Sequence, residues 1–350
     1  MRQNTAHRAA IDPVPNGVSR PLWSVMIPTY NCAGYLRQTL ASVLAQDPGA
    51  DAMQIQVVDD HSTLDDPEAI VQELGQGRVE FYRQPQNMGY IRNFETCLQR
   101  SHGHLVHLLH GDDLVRIGFY EKLQQAFAQY PELGAAYCRH IIADDDGHWQ
   151  RLSPVEQPES GILSDAIARI VSRHPIQTPS IAVRRRVYEQ LGGFDRRMAS
   201  CGEDWEMWVR IAVHYPIGFE TEPLAIYRSR AASLSGKAVR SGQNLRDVRL
   251  ATQIIRPYLP AAQAKSLDQQ ARHLWAFWGL YCARDMLAQG DYRGALVQIR
   301  EALQCATSAS VLQFLPSVLW AIVPHWSQQL QQAWHRLGSR ENHLSRSESL

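Results

Sequence analysis

Short apolar runs alternate with amphipathic stretches of helical period along most of this chain, the pattern of an α/β sheet flanked by helices. Trp23 to Ile27 predicts a strand stopped by Pro28, after which Leu36, Leu40, Val43 and Leu44 share one helical stripe. Ile55 to Val58 predicts a second strand ending at Asp59 and Asp60, and Val79 to Tyr82 a third. Asn87 to Arg100 reads as a helix with Ile91, Phe94 and Leu98 inward, and Leu105 to Leu109 as the fourth strand. Phe119, Leu123 and Phe127 mark the next helix, Gly134 to Cys138 the next strand, and Asp146-Gly147 a hairpin turn. Ser153 to Gly161 reads as a long surface loop, Ser180 to Val183 as a strand, and Arg186 to Leu191 as a helix closed by Gly192-Gly193. Trp205, Trp208, Val209 and Ala212 fall at helical spacing, and Pro223 to Tyr227 predicts a late strand.

Beyond about Ser235 the texture is helical only. Leu274 to Leu303 carries two amphipathic runs joined at Gly290-Asp291-Tyr292. Val311 to Trp326 is apolar but holds Gln313, Ser317 and His325 and is broken by Pro316 and Pro324, which suits a core helix or an interfacial segment. Leu330, Trp334 and Leu337 form a further stripe beside His335 and Arg336. The expected organisation is a flexible leader over 1–20, a domain over 21–235, and an α-helical region over 236–350.

Composition removes several function classes. Lys+Arg and Asp+Glu are equal at 35 each, so no global basic field points to nucleic acid. The six cysteines form no Cys-x-x-Cys pair, which supports neither a zinc site nor a disulfide scaffold and fits reduced, cytoplasmic thiols. No apolar run is long enough to span a bilayer, and the leader lacks the apolar core of a signal peptide.

Chemistry concentrates where strands end. His110-Gly111-Asp112-Asp113 follows an apolar strand directly, and paired carboxylates there either face solvent in a turn or hold a cation. In open α/β sheets the carboxyl ends of the strands are where ligands bind. His102, His104, His107 and His110 cannot converge on one ion, because strand alternation puts His104 and His107 on opposite faces.

Four segments recur in one order: Ser24-Val25-Met26-Ile27-Pro28-Thr29-Tyr30-Asn31, then Val57-Val58-Asp59-Asp60-His61-Ser62-Thr63, then Asn87-Met88-Gly89-Tyr90-Ile91-Arg92-Asn93, then His110-Gly111-Asp112-Asp113. With Leu191-Gly192-Gly193-Phe194-Asp195, Gly202-Glu203-Asp204-Trp205-Glu206-Met207-Trp208 and Tyr227-Arg228, the set resembles the family 2 glycosyltransferases over roughly residues 22 to 235.

The resemblance implies a GT-A fold, a Rossmann-like mixed sheet flanked by helices, here with a C-terminal α-helical extension. It implies inverting transfer of a sugar from a nucleotide-diphosphate sugar to an acceptor hydroxyl. Asp112 and Asp113 match the family's metal motif, for Mg²⁺ or Mn²⁺, with Asp112 also near the donor and His110 a ligand or a neighbour. Donor recognition maps to Pro28, Thr29, Tyr30, Asp60 and Arg92, and the general base to Asp204. Glu203, Trp205, Arg228 and Arg230 are candidate acceptor or diphosphate contacts.

Bland readings stand beside these: helix capping for Asp60 and Asp204, a solvated charge for Arg92, and core packing for Trp205 or Trp208. His61 stands where the family usually has glycine, and Arg230 where it often has histidine.

The implied role is surface polysaccharide or glycolipid synthesis on a saccharide or lipid-linked acceptor. The C-terminal helices would then contact the inner face of the membrane, pair subunits into a homo-oligomer, or pack on the domain. A catalytically inactive nucleotide-sugar-binding module is the rival, against which the intact Asp60, Asp112, Asp113 and Asp204 argue. A nucleotidyltransferase would carry a basic Gly-rich loop after the first strand, and a dehydrogenase Gly-x-Gly-x-x-Gly; the chain has neither there.

Overall fold

The computed structural model describes residues 5–321. Among these, one mixed sheet collects β1 (Trp23–Thr29), β2 (Met53–Asp59), β3 (Glu80–Arg83), β4 (Leu105–Leu108), β5 (Leu114–Val115), β6 (Ala135–Ala143), β7 (Trp149–Leu152), β8 (Gly161–Ile162), β9 (Ile181–Arg184) and β10 (Ile217–Arg228). Their order is β3-β2-β1-β4-β9-β6-β10-β5, with β7 beside β6 and β8 beside β10. β3, β2, β1 and β4 run parallel, and β9 inserts antiparallel between β4 and β6. β1 and β2 are buried along their whole length, as parallel strands covered on both faces must be.

Helices cover both faces: α1 (Ala33–Leu44), α2 (Pro67–Gly75), α3 (Tyr90–Arg100), α4 (Phe119–Gln129), α5 (Ala166–Arg173), α6 (Arg185–Leu191) and α7 (Glu203–His214). Val25 and Ile27 of β1 point into one core with Leu36, Leu40, Phe119 and Leu123, while Met26 points into the other with Phe94, Leu98 and Trp208. That split is the two-residue period of a strand acting on adjacent positions.

Then follow α8 (Leu234–Ser241), α9 (Gln243–Ile255), α10 (Ala264–Ala288), α11 (Tyr292–Cys305) and α12 (Ala309–Trp320). Leu245, Trp275, Ala276 and Leu280 belong to the same core as Trp205 and Trp208, so α9 and α10 pack on the sheet domain. The expected helix break at Gly290-Asp291-Tyr292 is present, with Asp291 capping α11 by accepting from the Gly294 N–H. Val311 and Val318 of α12 are buried, and Leu312, Leu319 and Trp320 are exposed. The stripe of Leu330, Trp334 and Leu337 lies outside the described residues.

Two expectations change. The leader is not loose over its described part: Ala9 and Ile11 are buried, Gly193 N–H bonds to the Ala9 carbonyl, and Arg8 reaches Asp195 and Glu206. Its polar and Pro-rich composition concealed an arginine with buried acidic partners. The loop over Ser153 to Gly161 contains buried Glu156, paired with Arg169 and Arg173, and ends in β8.

Candidate active site

β1, β2 and β4 end side by side, and their loops hang on β1: Asp60 N–H bonds to the Thr29 carbonyl and Gly111 N–H to the Pro28 carbonyl. Gly111 is required by this packing, since a Cβ there would stand 2.9 Å from Thr29 Oγ1. Pro28 and Thr29 are therefore buried supports, whereas Tyr30 is 48% exposed beside them.

Asp60 is buried, and its two carboxylate oxygens accept the N–H groups of Met88 at 2.7 Å and Gly89 at 3.0 Å. It fixes the backbone of the turn leading into α3. Burial raises its pKa, partly offset by those two bonds. Arg92 in the first turn of α3 is exposed and makes no ion pair among the described residues. His61 adopts φ +65°, the left-handed backbone that a glycine takes freely, and its Nδ1 lies 3.0 Å from the Gln84 carbonyl. The departure from glycine leaves the turn intact.

The acidic loop after β4 is built tightly. Asp113 Oδ1 accepts the Arg228 N–H at 2.9 Å, while its buried Oδ2 has no hydrogen-bond partner. Burial, with Asp112 adjacent, pushes Asp113 well above the usual carboxylate range. His110 stacks on Phe94, with ring centroids 4.9 Å apart, and its Nε2 is also buried and unpartnered. One ligand atom each from His110, Asp112 and Asp113 lies within 4.8 Å of the others. Two carboxylates and an imidazole, with orphaned polar atoms among them, fit a divalent cation. His110 thus joins the candidate set as a third member.

Arg230 pairs with Asp112 Oδ2, its Nε at 3.1 Å, and lies 4.6 Å over the Tyr35 ring. Arg228 is spent on structure. It donates to the carbonyls of Asp112 and Asp145 and to Gln38 Oε1, and is 4% exposed, so it is a brace and not a diphosphate contact.

Glu203 and Asp204 open α7. Glu203 accepts the Tyr90 hydroxyl at 3.2 Å, and burial with Asp204 beside it pushes its pKa up to about 8. Asp204 remains partly open, its side chain 17% exposed, with Oδ1 accepting the Trp205 N–H at 2.7 Å. Trp205 is fully buried, donates Nε1–H to the Ile170 carbonyl, and packs on Trp275, so it is core and not an acceptor wall. Tyr227, half-buried on β10, has its pKa raised by burial and then by Asp113, Asp112 and Asp204, while burial lowers that of His110 against the pull of Asp112 and Asp204.

Three residues escaped sequence reasoning: Tyr35, Tyr90 and His174, which lies 3.8 Å from Asp204. Tyr90 sat inside a quoted motif. Tyr35 and His174 meet the site through contacts far apart in sequence, and no local signal marks them.

A mixed sheet flanked by helices, with an acidic loop at its strand ends, is the GT-A fold that the resemblance implied. The model of "Glycosyl transferase family 2" matches residues 24–192. Over those residues the chain is similar to that family.

It is 27% identical over 240 residues, 65% of this chain and 74% of the relative, to "Uncharacterized protein MT1568" of Mycobacterium tuberculosis. It is 26% identical to "O-antigen biosynthesis protein RfbC" of Myxococcus xanthus, over 55% of this chain and 16% of that protein. Among solved structures, the mannosyltransferase PcManGT of Pyrobaculum calidifontis, in complex with GDP-Man and Mn²⁺, superposes with TM-score 0.56 at 18% identity, covering 95% of this chain and 90% of that one. S. aureus TarS 1-349 in complex with UDP-GlcNAc gives TM-score 0.57 at 13% identity, covering 81% and 90%. At these identities the two structures speak for the fold.

Proposed function

We propose that this chain transfers a sugar from a nucleotide-diphosphate donor to an acceptor hydroxyl with inversion at the anomeric carbon. The observation that carries the reading is the cluster of His110, Asp112 and Asp113, whose ligand atoms lie within 4.8 Å of one another, with Asp113 Oδ2 and His110 Nε2 buried and unpartnered. Asp112, Asp113 and His110 hold Mg²⁺ or Mn²⁺, which when bound neutralises the charge growing on the departing diphosphate. Arg230 adds a permanent cation beside the same oxygens. Tyr30 offers an exposed ring face to the nucleoside base, and Arg92 an unpaired charge near it. Asp60 contributes by fixing the Met88–Gly89 backbone ahead of α3.

Inversion in one displacement needs a base on the acceptor, and Asp204, open to the cleft at the head of α7, takes the hydroxyl proton. The name of one relative, an O-antigen biosynthesis protein, supports a role in surface polysaccharide synthesis, and the complexes of neighbours with UDP-GlcNAc and with GDP-Man and Mn²⁺ support donor and metal. No helix among the described residues is long and apolar enough to cross a membrane. Exposed Trp278, Tyr281, Leu312, Leu319 and Trp320 on α10 and α12 support a peripheral lipid contact.

A panel of UDP- and GDP-sugars, assayed for donor hydrolysis and transfer with and without Mn²⁺, tests the reading. Asp204→Asn lowers turnover by about 10²- to 10⁴-fold while nucleotide binding persists. Near-normal transfer by that variant removes Asp204 as base, and binding of nucleotide sugars without turnover in the native protein selects the inactive binding module.

A further inference from the structure

We propose that His174 is a positioning residue for the general base, donating its Nε2–H to the Asp204 carboxylate in the acceptor complex. This rests on the reading of Asp204 as base.

His174 follows the last turn of α5 with φ +46°, a left-handed conformation uncommon outside glycine. That backbone turns the imidazole into the core, where its ring lies 6.2 Å from the Trp205 ring and 5.5 Å from the Trp275 ring, centroid to centroid. Its Nε2 is buried and without a hydrogen-bond partner, 3.8 Å from Asp204 Oδ2. A buried polar atom left alone is unfavourable, so native structures rarely keep one without a use. Catalytic hydrogen bonds are often long without substrate and shorten in the productive complex. Burial lowers the His174 pKa, which keeps the ring neutral with one N–H to give.

The carboxylate then has a donor on each oxygen: Trp205 N–H on Oδ1 at 2.7 Å and His174 on Oδ2. In the displacement, the acceptor oxygen bonds to the anomeric carbon as the bond to the diphosphate breaks, and the hydroxyl proton passes to Asp204. His174 moves no proton; it fixes the direction in which Asp204 accepts one.

The titratable groups around the pair come from several elements. Glu203 adjoins Asp204 and is faced by Tyr90 and Asp247; His110 and Tyr227 face Asp204 from the β4 loop and β10, Cys201 from before α7, and His140 faces His174 from β6.

His174→Phe keeps an aromatic ring against the two tryptophans without an N–H, and His174→Gln keeps an amide donor. Both carry the same backbone strain, so it cancels between them. The kcat for transfer is measured against pH for both, with the donor KM and circular dichroism as checks. His174→Phe is expected to lose about 10- to 100-fold in kcat at unchanged donor KM, with its acid limb moved up by about one pH unit, and His174→Gln to recover most of the loss. A kcat for His174→Phe within twofold of native with an unmoved acid limb overturns the proposal, as does a correctly folded His174→Gln as impaired as His174→Phe. If His174→Phe fails to fold, the acid limb of His174→Gln decides: near its native position supports the proposal, displaced upward rejects it. Asp204→Asn, assayed alongside, separates the two claims: activity in that variant removes the base itself, whereas its inactivity beside a normal His174→Phe removes the positioning role alone.

Discussion

Replacing Glu203 by glutamine isolates the electrical consequence of burying two neighbouring carboxylates. Glu203 is 7% exposed, and burial together with Asp204 lifts its pKa from 4.5 to about 8. The folded chain therefore keeps a proton that the unfolded chain releases near pH 4.5, so stability falls as pH rises between those two values. At about 1.4 kcal/mol per pH unit, the decline attributable to Glu203 reaches about 3 kcal/mol at neutral pH and about 5 kcal/mol by pH 8. Glutamine keeps the size and the partner for the Tyr90 hydroxyl but cannot ionise. Urea unfolding of native protein and Glu203→Gln at pH 5 and pH 8 reads the effect directly. The variant is expected to gain on the native protein by several kcal/mol toward pH 8. Parallel curves, or a native protein that gains on the variant as pH rises, refute the reasoning. Transfer activity is expected to survive, since a protonated Glu203 already spares Asp204 a second negative charge at its side.

Three further outcomes follow from the ion pairs. Arg8 bridges buried Asp195 and Glu206, yet Asp195 keeps Arg197 and Glu206 keeps Arg210. Arg8→Met is thus expected to lower the urea stability by about 1–3 kcal/mol, and Arg210→Met, which also strips donors from the Leu191 and Gly193 carbonyls, by about 3–5 kcal/mol. Arg230→Ala frees Asp112 Oδ2 and is expected to tighten Mn²⁺ binding without nucleotide while weakening nucleoside diphosphate binding, both read by calorimetric titration.

The strands and helices of the sheet domain were legible because burial on both faces leaves continuous apolar runs, and because Pro28, Asp59 and Asp60 punctuate them. Residue types at a strand end pointed to Asp112 and Asp113, and the family resemblance to Asp204. The division of labour among the site residues was not legible. Whether Asp60 binds a base or caps a helix depends on where the Met88 and Gly89 N–H groups point. Arg228 and Arg230 are two residues apart on one strand end, yet one is walled in by carbonyls and the other lies against Asp112 and Tyr35. β5, β7 and β8 are too short or too exposed to show an apolar signature. The leader was misread because its stabilising partners, Asp195 and Glu206, lie nearly 200 residues away, as the separation of 198 between Arg8 and Glu206 shows.

Titrating Mn²⁺ into the protein with saturating nucleoside diphosphate, by electron paramagnetic resonance, puts the acidic cleft itself on trial. The native protein is expected to bind one Mn²⁺ per chain, and Asp113→Asn, still folded, to lose at least tenfold in affinity as the buried carboxylate beside His110 and Asp112 is neutralised. Equal Mn²⁺ binding by the two proteins, or none by either, contradicts the account.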